Sequence, residues 1–516
     1  MKRREFLQKS GSLVSSLPFL SIAVANNLFG KEIAFSDYKA LIVLQLDGGN
    51  DTFNTFVPFQ EEAYKNYEKA RKKIAIANED LLEDENYRVN ENGYYAPVSK
   101  DKNAYAVATK NIEKSYKKGI YKVSDSLGFN AMMPELAALY KKGVLSVVEN
   151  VGVLVEPTTQ NDIVNKNVTL PLFLFAHDHQ RRAVETAKPQ EKISKGWLGR
   201  VADSWSPINA PIGLNISFAG MNRMLVGTKT APITFGNSPD IYNKYNPSDT
   251  TIISLLERFS QLQNDNIFYS LYNKMNKKAV DFSNTFKEAW KNVPDFSSFD
   301  LKNSYGDTLF SVPTTVDINM EDLHALSSSI FRDLQTTAQM IKIGKDIFHY
   351  KREVFYISLG GFDFHSSQPK DHSKKLRSLS LALSDFYKAL EEMGLEKDVV
   401  LATTSDFGRT LLSNGDGTDH GWGGGAFLLS GAENFNGGKI LGYKITNYSL
   451  DSETFYQEHR QKGRLIPTTS IEQMYAPILD WFGVDEKTMK SAFPNLVNFR
   501  KDVNNYKSAF LEEVFL

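Results

Sequence analysis

Residues 399–425 read VVLATTSDFGRTLLSNGDGTDHGWGGG, and this stretch is the strongest indication of the fold. The apolar run that begins at Val399 is typical of a buried strand, and it leads directly into Asp406. A glycine-rich loop then presents Asp416, Asp419 and His420. Acidic and imidazole side chains on loops just past a buried strand are what a metal-dependent active site needs. The stretch therefore predicts one part of a metal site at the end of a strand.

The same pattern, an apolar run that ends in acidic or imidazole side chains, recurs three times upstream. The runs and the side chains that follow them are 40–46 with Asp47, 172–175 with His177 and His179, and 354–359 with Asp363 and His365. Helical periodicity separates the runs at 130–142, 320–343 and 374–393. Alternating strands and helices with polar residues at the strand ends predict an α/β fold with a mostly parallel central sheet.

Ligands of open parallel sheets bind outside the carboxyl ends of the strands, so we expect these clusters to converge. Asp363 and His365 are two residues apart and share a face if the strand pattern continues. Mixed carboxylate and imidazole donors favour zinc or another divalent metal, whereas an all-oxygen site would favour magnesium or calcium. Two structural alternatives stay open. Asp47 is also consistent with a turn cap before two glycines, and Asp406 with an ion pair to Arg409 alone.

The bulk composition excludes several functional classes. The chain has 516 residues, 41% hydrophobic content and a net charge of −1, so nothing indicates a nucleic-acid partner. It has no cysteine, which excludes disulfides, thiolate metal ligands and a cysteine nucleophile. No segment approaches about 20 uninterrupted apolar residues, so we expect no transmembrane segment.

The N-terminus has the features of an export signal. Arg3 and Arg4 stand at twin-arginine spacing before Phe6-Leu7, a mildly apolar stretch follows, and 23–25 read Ala-Val-Ala. We predict a twin-arginine signal peptide and linker at 1–35, recognition by the twin-arginine translocation machinery, and a periplasmic or exported protein. A short amphipathic helix is the alternative. Residues 36–516 are predicted to form one α/β domain, with a helical insertion near 236–315.

Six short motifs in consistent order resemble the DUF1501 family of exported bacterial proteins. They are LQLDGGND at 44–51, LFAH at 174–177, GWLGR at 196–200, GGFDFH at 360–365, SDFGRT at 405–410 and GTDHGWG at 417–423. The resemblance runs from about residue 40 to Pro494. That family is similar to the alkaline phosphatase/sulfatase superfamily, which implies a three-layer α/β/α sandwich around a metal centre.

The resemblance implies a metal-dependent hydrolase acting on a small-molecule or glycan phosphate or sulfate ester. The implied ligands of a divalent metal, with zinc favoured, are Asp47, Asp363, His365, Asp406 and His420. The implied catalytic residues are His177, His179 and Arg409, the last of which would steady anionic oxygens.

Two departures from the superfamily pattern keep a second functional class open. Ala176 stands where many relatives have a serine, and Phe407 stands where the superfamily has a histidine after the aspartate. These substitutions favour a degenerate site in a non-catalytic exported binding or assembly protein that retains the fold. The surviving Asp and His clusters favour the hydrolase.

Overall fold

The computed structural model describes residues 35–98, 112–206, 208–209, 213–234, 258, 289–312, 326–456 and 462–516. The predicted signal peptide, apart from residue 35, lies outside this part of the chain. So does most of the predicted insertion at 236–315, of which 289–312 is described and contains a short 3-10 helix at Phe296–Ser298.

The described residues form strands and helices in alternation. The strands are β1 (Lys39–Asp47), β2 (Phe56–Pro58), β3 (Ile120–Tyr121), β4 (Leu127–Asn130), β5 (Leu145–Gly152), β6 (Asn215–Ser217), β7 (Ile233–Thr234), β8 (Arg352–Gly360), β9 (Val399–Ser405), β10 (Arg409–Ser413), β11 (Thr418–His420), β12 (Gly424–Ser430), β13 (Ile440–Gly442), β14 (Phe455–Tyr456), β15 (Arg464–Leu465) and β16 (Thr469–Ser470). The helices are α1 (Thr52–Thr55), α2 (Glu61–Arg71), α3 (Ile112–Tyr116), α4 (Pro134–Lys142), α5 (Gln160–Asn165), α6 (His177–Thr186), α7 (Trp197–Ser204), α8 (Ser328–Asp346), α9 (Gln368–Glu392), α10 (Ile471–Trp481) and α11 (Glu486–Ala492).

A nine-stranded sheet forms the centre of the fold. Its strands follow the order β13-β5-β12-β9-β1-β8-β6-β7, and β16 also pairs with β5. Strand β1 lies between β8 and β9 and is parallel to both. Only β12 runs antiparallel to its neighbours, β5 and β9, within this described sheet. The prediction of an α/β fold with a mostly parallel central sheet is confirmed.

Helices cover both faces of this sheet. Successive side chains of β1 alternate between two separate apolar cores, as the period of a strand requires. Ile42 and Leu44 belong to the core that contains residues of α4, α8 and α9. Leu41 and Val43 belong to the core that contains residues of α7, α10 and α11. Burial on both faces explains why β1 is continuously apolar.

One predicted strand is wrong. The run 172–175 forms a turn, in which Phe173 and Phe175 have φ values of 51° and 70°, and helix α6 begins at His177. A strand needs negative φ at every residue, so this run cannot extend the sheet. The predicted helices at 130–142, 320–343 and 374–393 correspond to α4, α8 and α9 with shifted ends. Among the described helices, none has the length and apolar character needed to span a bilayer.

The register of the parallel strands brings three chain segments to one edge of the sheet. Asp47 at the end of β1 lies opposite Gly360 at the end of β8, and Leu46 lies opposite Ser405 at the end of β9. The residues that follow these strands therefore meet at this edge, which is where an open parallel sheet binds ligands.

Candidate metal centre

One carboxylate oxygen lies at the middle of the cluster at this edge. Asp363 Oδ1 is 2.7 Å from Arg409 Nη1, 3.0 Å from His365 Nε2, 3.2 Å from His420 Nε2 and 3.4 Å from His177 Nε2. The structure thus brings together five of the eight side chains that the sequence marked, from four separate segments.

The imidazole nitrogens also lie close to one another. His420 Nε2 is 3.1 Å from His177 Nε2 and 2.9 Å from His365 Nε2. Ligand atoms bound at about 2.0–2.1 Å to a tetrahedral zinc ion lie about 3.3 Å apart. Donor atoms of His177, Asp363 and His420 all lie within 4.8 Å of one another, and imidazole with carboxylate is a donor set that divalent zinc accepts. The residues present therefore fit a divalent metal.

The proton on His420 is placed by a backbone carbonyl. His420 Nδ1 lies 2.8 Å from the carbonyl oxygen of Phe175, and a carbonyl oxygen only accepts. The hydrogen is thus on Nδ1, and the lone pair of Nε2 faces the cluster. Burial, reinforced by the nearby Arg409, lowers the pKa of His420 and favours this neutral form.

His177 is oriented in the same way by Asp406. As the first residue of α6, His177 directs Nδ1 at Asp406 Oδ2 over 2.9 Å, so its Nε2 also faces the cluster. The hydrogen bond to Asp406 raises the pKa of His177 against the opposing effect of burial. A carboxylate behind a metal-binding imidazole is a common way to fix its tautomer.

Asp406 itself lies behind the cluster. Its side chain is 4% exposed, Oδ1 accepts from Gln45 Nε2 at 2.8 Å, and Oδ2 accepts from the Gly48 amide at 3.2 Å as well as from His177. The structure therefore gives Asp406 three hydrogen-bond donors and a supporting position. The alternative of a sole ion pair between Asp406 and Arg409 does not occur, since Arg409 pairs with Asp363 instead.

Arg409 is a buried cation that is held in place by hydrogen bonds. It is fully buried, donates from Nε to Thr418 Oγ1 at 3.2 Å, and donates from Nη2 to the Thr418 carbonyl. These bonds follow from the antiparallel pairing of β10 with β11, in which Arg409 lies opposite His420. Burial opposes ionisation of Asp363, but the Arg409 guanidinium outweighs it and lowers the pKa of that carboxyl.

Asp47, at the same sheet edge, pairs with a different arginine. Arg181 Nη2 is 3.2 Å from Asp47 Oδ1, and Ser358 donates to Oδ2. Burial raises the pKa of Asp47. Arg181 also pairs with Glu185 at 3.2 Å. The sequence alone does not indicate Arg181 as a site residue. Once α6 begins at His177, the i+4 spacing places residues 181 and 185 on the same side of the helix.

His179 does not share a site with His177. The two residues are two positions apart on α6, which places them on different sides of a helix, whereas a strand would have aligned them. The His179 ring packs on Phe173 with centroids 4.2 Å apart, and its Nδ1 lies 3.1 Å from Arg182 Nη2. The expectation that both histidines project from one strand end is therefore wrong.

Comparison with known proteins gives one family match. The model of the family described as "Protein of unknown function (DUF1501)" matches residues 269–458, which include Asp363, His365, Asp406, Arg409 and His420. No curated protein matches the chain. The match supports placing this chain with the DUF1501 family.

Proposed function

We propose that this protein is an exported, metal-dependent hydrolase of phosphate or sulfate esters. The observation that carries the proposal is the convergence of three imidazole Nε2 atoms on Asp363 Oδ1, at 3.0, 3.2 and 3.4 Å. His177, His365, His420 and Asp363 would hold the metal. When bound there, a divalent cation, with zinc favoured by the donors, supplies Lewis-acid chemistry toward an ester oxygen.

The surrounding cations suit an anionic ester. Arg409 directs Nη1 into the cluster from a buried position, and Arg181 lies beside Asp47 at the same sheet edge. Phosphate and sulfate esters carry their negative charge on oxygens that guanidinium groups bind in a paired geometry. Should His177 not be a ligand, its Nε2 would accept a proton from the attacking group, because the bond from Nδ1 to Asp406 selects the neutral tautomer whose lone pair is on Nε2, and the same carboxylate stabilises the protonated ring.

The proposal includes an alkaline-phosphatase-like architecture and export by the twin-arginine route. A central β1 that ends in Asp47, flanked by strands followed by Asp363 and Asp406, supports the architecture. The paired Arg3 and Arg4 support export to the periplasm.

Metal analysis with matched variants tests the proposal. Protein purified from the periplasm should contain a stoichiometric divalent metal, and His420→Ala and Asp363→Ala should lose it. His179→Ala is the control, because this histidine lies on the same helix as His177 but outside the cluster. Turnover is then measured on aryl phosphate, phosphonate and sulfate esters. Wild-type protein without metal, or equal metal loss in the control, would refute the proposal.

A non-catalytic binding or assembly protein is the second candidate. Two features beside the cluster favour it, because neither offers a free hydroxyl as a nucleophile. Ala176 precedes His177, and the hydroxyl of Ser405 donates to the Leu46 carbonyl at 2.7 Å. Phe407 occupies the position after Asp406 and packs on two of the imidazoles. Bound metal with no turnover on any of the esters would favour this candidate.

A further inference from the structure

A second cationic site lies outside the metal centre. It is a cavity of about 560 Å³, which we call the basic pocket. Six cationic side chains line it, together with Ile193, Ser194 and Thr228. The six are Arg182, Lys188, Lys192, Lys195, Arg200 and Arg223. A volume of this size is in the range of small-molecule sites, which is about 300–1,000 Å³.

Few carboxylates neutralise these six cations. Lys188 pairs with Glu191 at 2.9 Å, and Arg223 pairs with Glu185 at 2.5 Å. Within the part of the chain that the structure describes, no carboxylate forms an ion pair with Arg182, Lys192 or Lys195. The basic pocket therefore keeps a surplus of positive charge.

Two further acids near the basic pocket are already engaged: Glu472, close to Arg200, accepts from Asn495 Nδ2 at 2.8 Å, and Asp203 accepts from a loop backbone. Asp203 Oδ1 accepts from the backbone amides of Lys229 and Thr230 at 2.8 and 2.9 Å, and Oδ2 accepts from the amide of Thr228. These bonds hold the loop that carries Thr228 and direct the carboxylate at the backbone. Asp203 is thus positioned as part of the loop and does not pair with the lysines.

Arg200 makes one wall of the basic pocket rigid. It donates to the carbonyls of Ser491 at 2.7 Å, Ala492 at 2.8 Å and Lys195 at 3.0 Å, and also to that of Thr186. Burial lowers the pKa of Arg200 to about 10, so it remains charged at neutral pH. These bonds tie the loop before α7 to the end of α6 and to α11, which places the surrounding lysines on a fixed frame.

We propose that the basic pocket binds a small anion that carries at least two phosphate or sulfate groups. Ammonium and guanidinium groups form charge-assisted hydrogen bonds with such tetrahedral oxyanions. Three cations around a cavity of about 560 Å³ have no carboxylate partner in the described residues. Their combined positive charge is more than a single oxyanion would neutralise, which favours a ligand with two or more anionic groups. The site is built from the end of α6, the loop to α7 and the segment around Arg223, and uses none of the metal-binding side chains.

Titration calorimetry on the full chain at physiological ionic strength tests the proposal. The probes are inorganic tripolyphosphate, a trisulfated disaccharide and inorganic monophosphate. We expect saturable binding of at least one of the first two, and monophosphate binding weaker by about tenfold or more. Tighter binding of tripolyphosphate or of the disaccharide assigns the ligand to the phosphorylated or the sulfated class.

The variants separate the basic pocket from general charge and from the metal centre. Lys192→Gln with Lys195→Gln should weaken binding by about tenfold or more, because both side chains are exposed and neither forms an ion pair with a carboxylate in the described residues, although Lys192 Nζ lies 5.5 Å from the centroid of the Phe173 ring. Lys141→Gln with Lys397→Gln removes the same charge from exposed positions in α4 and before β9, and should change binding less than about twofold. His420→Ala should bind the probes as wild type does, whatever its metal content. Absence of saturable binding, equal weakening by both double variants, or loss of binding in His420→Ala would overturn the proposal.

Discussion

Replacing Asp406 by Asn tests how the cluster is oriented. The carboxylate accepts from Gln45 Nε2, the Gly48 amide and His177 Nδ1. An asparagine oxygen can keep the bonds to Gly48 and His177 if its amide nitrogen faces Gln45. Gln45 can then turn its own amide, because its Oε1 is buried without a hydrogen bond. The variant therefore keeps the shape of the site and loses the negative charge behind His177.

The size of the effect follows from that lost charge. A hydrogen bond to a charged group contributes about 1.5–3 kcal/mol, against about 0.5–1.5 kcal/mol between neutral groups. The midpoints of these ranges differ by about 1.25 kcal/mol, which corresponds to roughly a tenfold loss of metal affinity. Substitutions of residues that support metal-binding imidazoles typically cost about 10–100-fold, which brackets this value.

Chelator competition measures this affinity directly. Apoprotein is titrated with zinc against a chromophoric chelator, for wild type, Asp406→Asn and Asp416→Asn. Asp416 is the control, because its side chain is exposed in the same glycine-rich loop and accepts from the Ser367 amide at 3.0 Å. We expect about a tenfold loss for Asp406→Asn and less than about twofold for the control. Unchanged affinity would refute the orienting role, and complete loss of zinc would make Asp406 a direct ligand.

Three further predictions concern stability, each measured by urea denaturation. Burial raises the pKa of Glu353 to about 8 from 4.5, so the folded acid keeps a proton that the unfolded acid loses. The free energy of unfolding therefore falls by about 1.4 kcal/mol per pH unit between these values, and Glu353→Gln should remove that share of the slope. In Gly408→Ala the new Cβ would lie 1.9 Å from the Gly423 carbonyl oxygen, so we expect the free energy of unfolding to fall by about 1–3 kcal/mol. Gly360→Ala is the control and should not show this loss, because a Cβ there would have no atom within 4 Å. Arg71→Met leaves the fully buried carboxylate of its ion-pair partner, Asp51, without its cation and should cost about 3–5 kcal/mol, part of which Asp51→Asn in the same chain should restore.

The central sheet was predictable because its strands are buried on both faces. Continuous apolar runs such as 40–46, 354–359 and 399–402, each followed by polar residues, have few interpretations other than a buried strand. The run at 172–175 has the same composition but only four residues, and composition does not separate a short strand from an apolar turn. There the left-handed conformations of Phe173 and Phe175 change the chain direction, and no residue in the run is a glycine that would have indicated them.

The members of the site were more predictable than their roles. Parallel strands β8 and β9 must bring Asp363, His365 and the segment that leads to His420 to one edge, and the sequence predicts that they meet there. The sequence does not show whether Asp406 is a metal ligand or a supporting residue. That role depends on hydrogen-bond donors such as Gln45 of β1, which reach Asp406 only in the folded sheet. Asp47 likewise pairs with Arg181, a residue whose position depends on where α6 begins.

Phe407 gives the cluster a closed side and an open side. Its ring, 5% exposed, packs on the imidazoles of His177 and His420 with centroids 4.6 and 4.8 Å away. A Cβ on Gly49 would lie 2.7 Å from that ring, so the turn after β1 fits only with glycine at this position. Asp363 and His365 are 45% and 47% exposed. The aromatic ring thus covers one side of the two imidazoles, and the cluster is open on the side of Asp363 and His365, from which the proposed ester would approach. If the proposed architecture is right, Phe407 sets the direction of access to the cluster, so the absence of a histidine at 407 does not by itself imply a dismantled site.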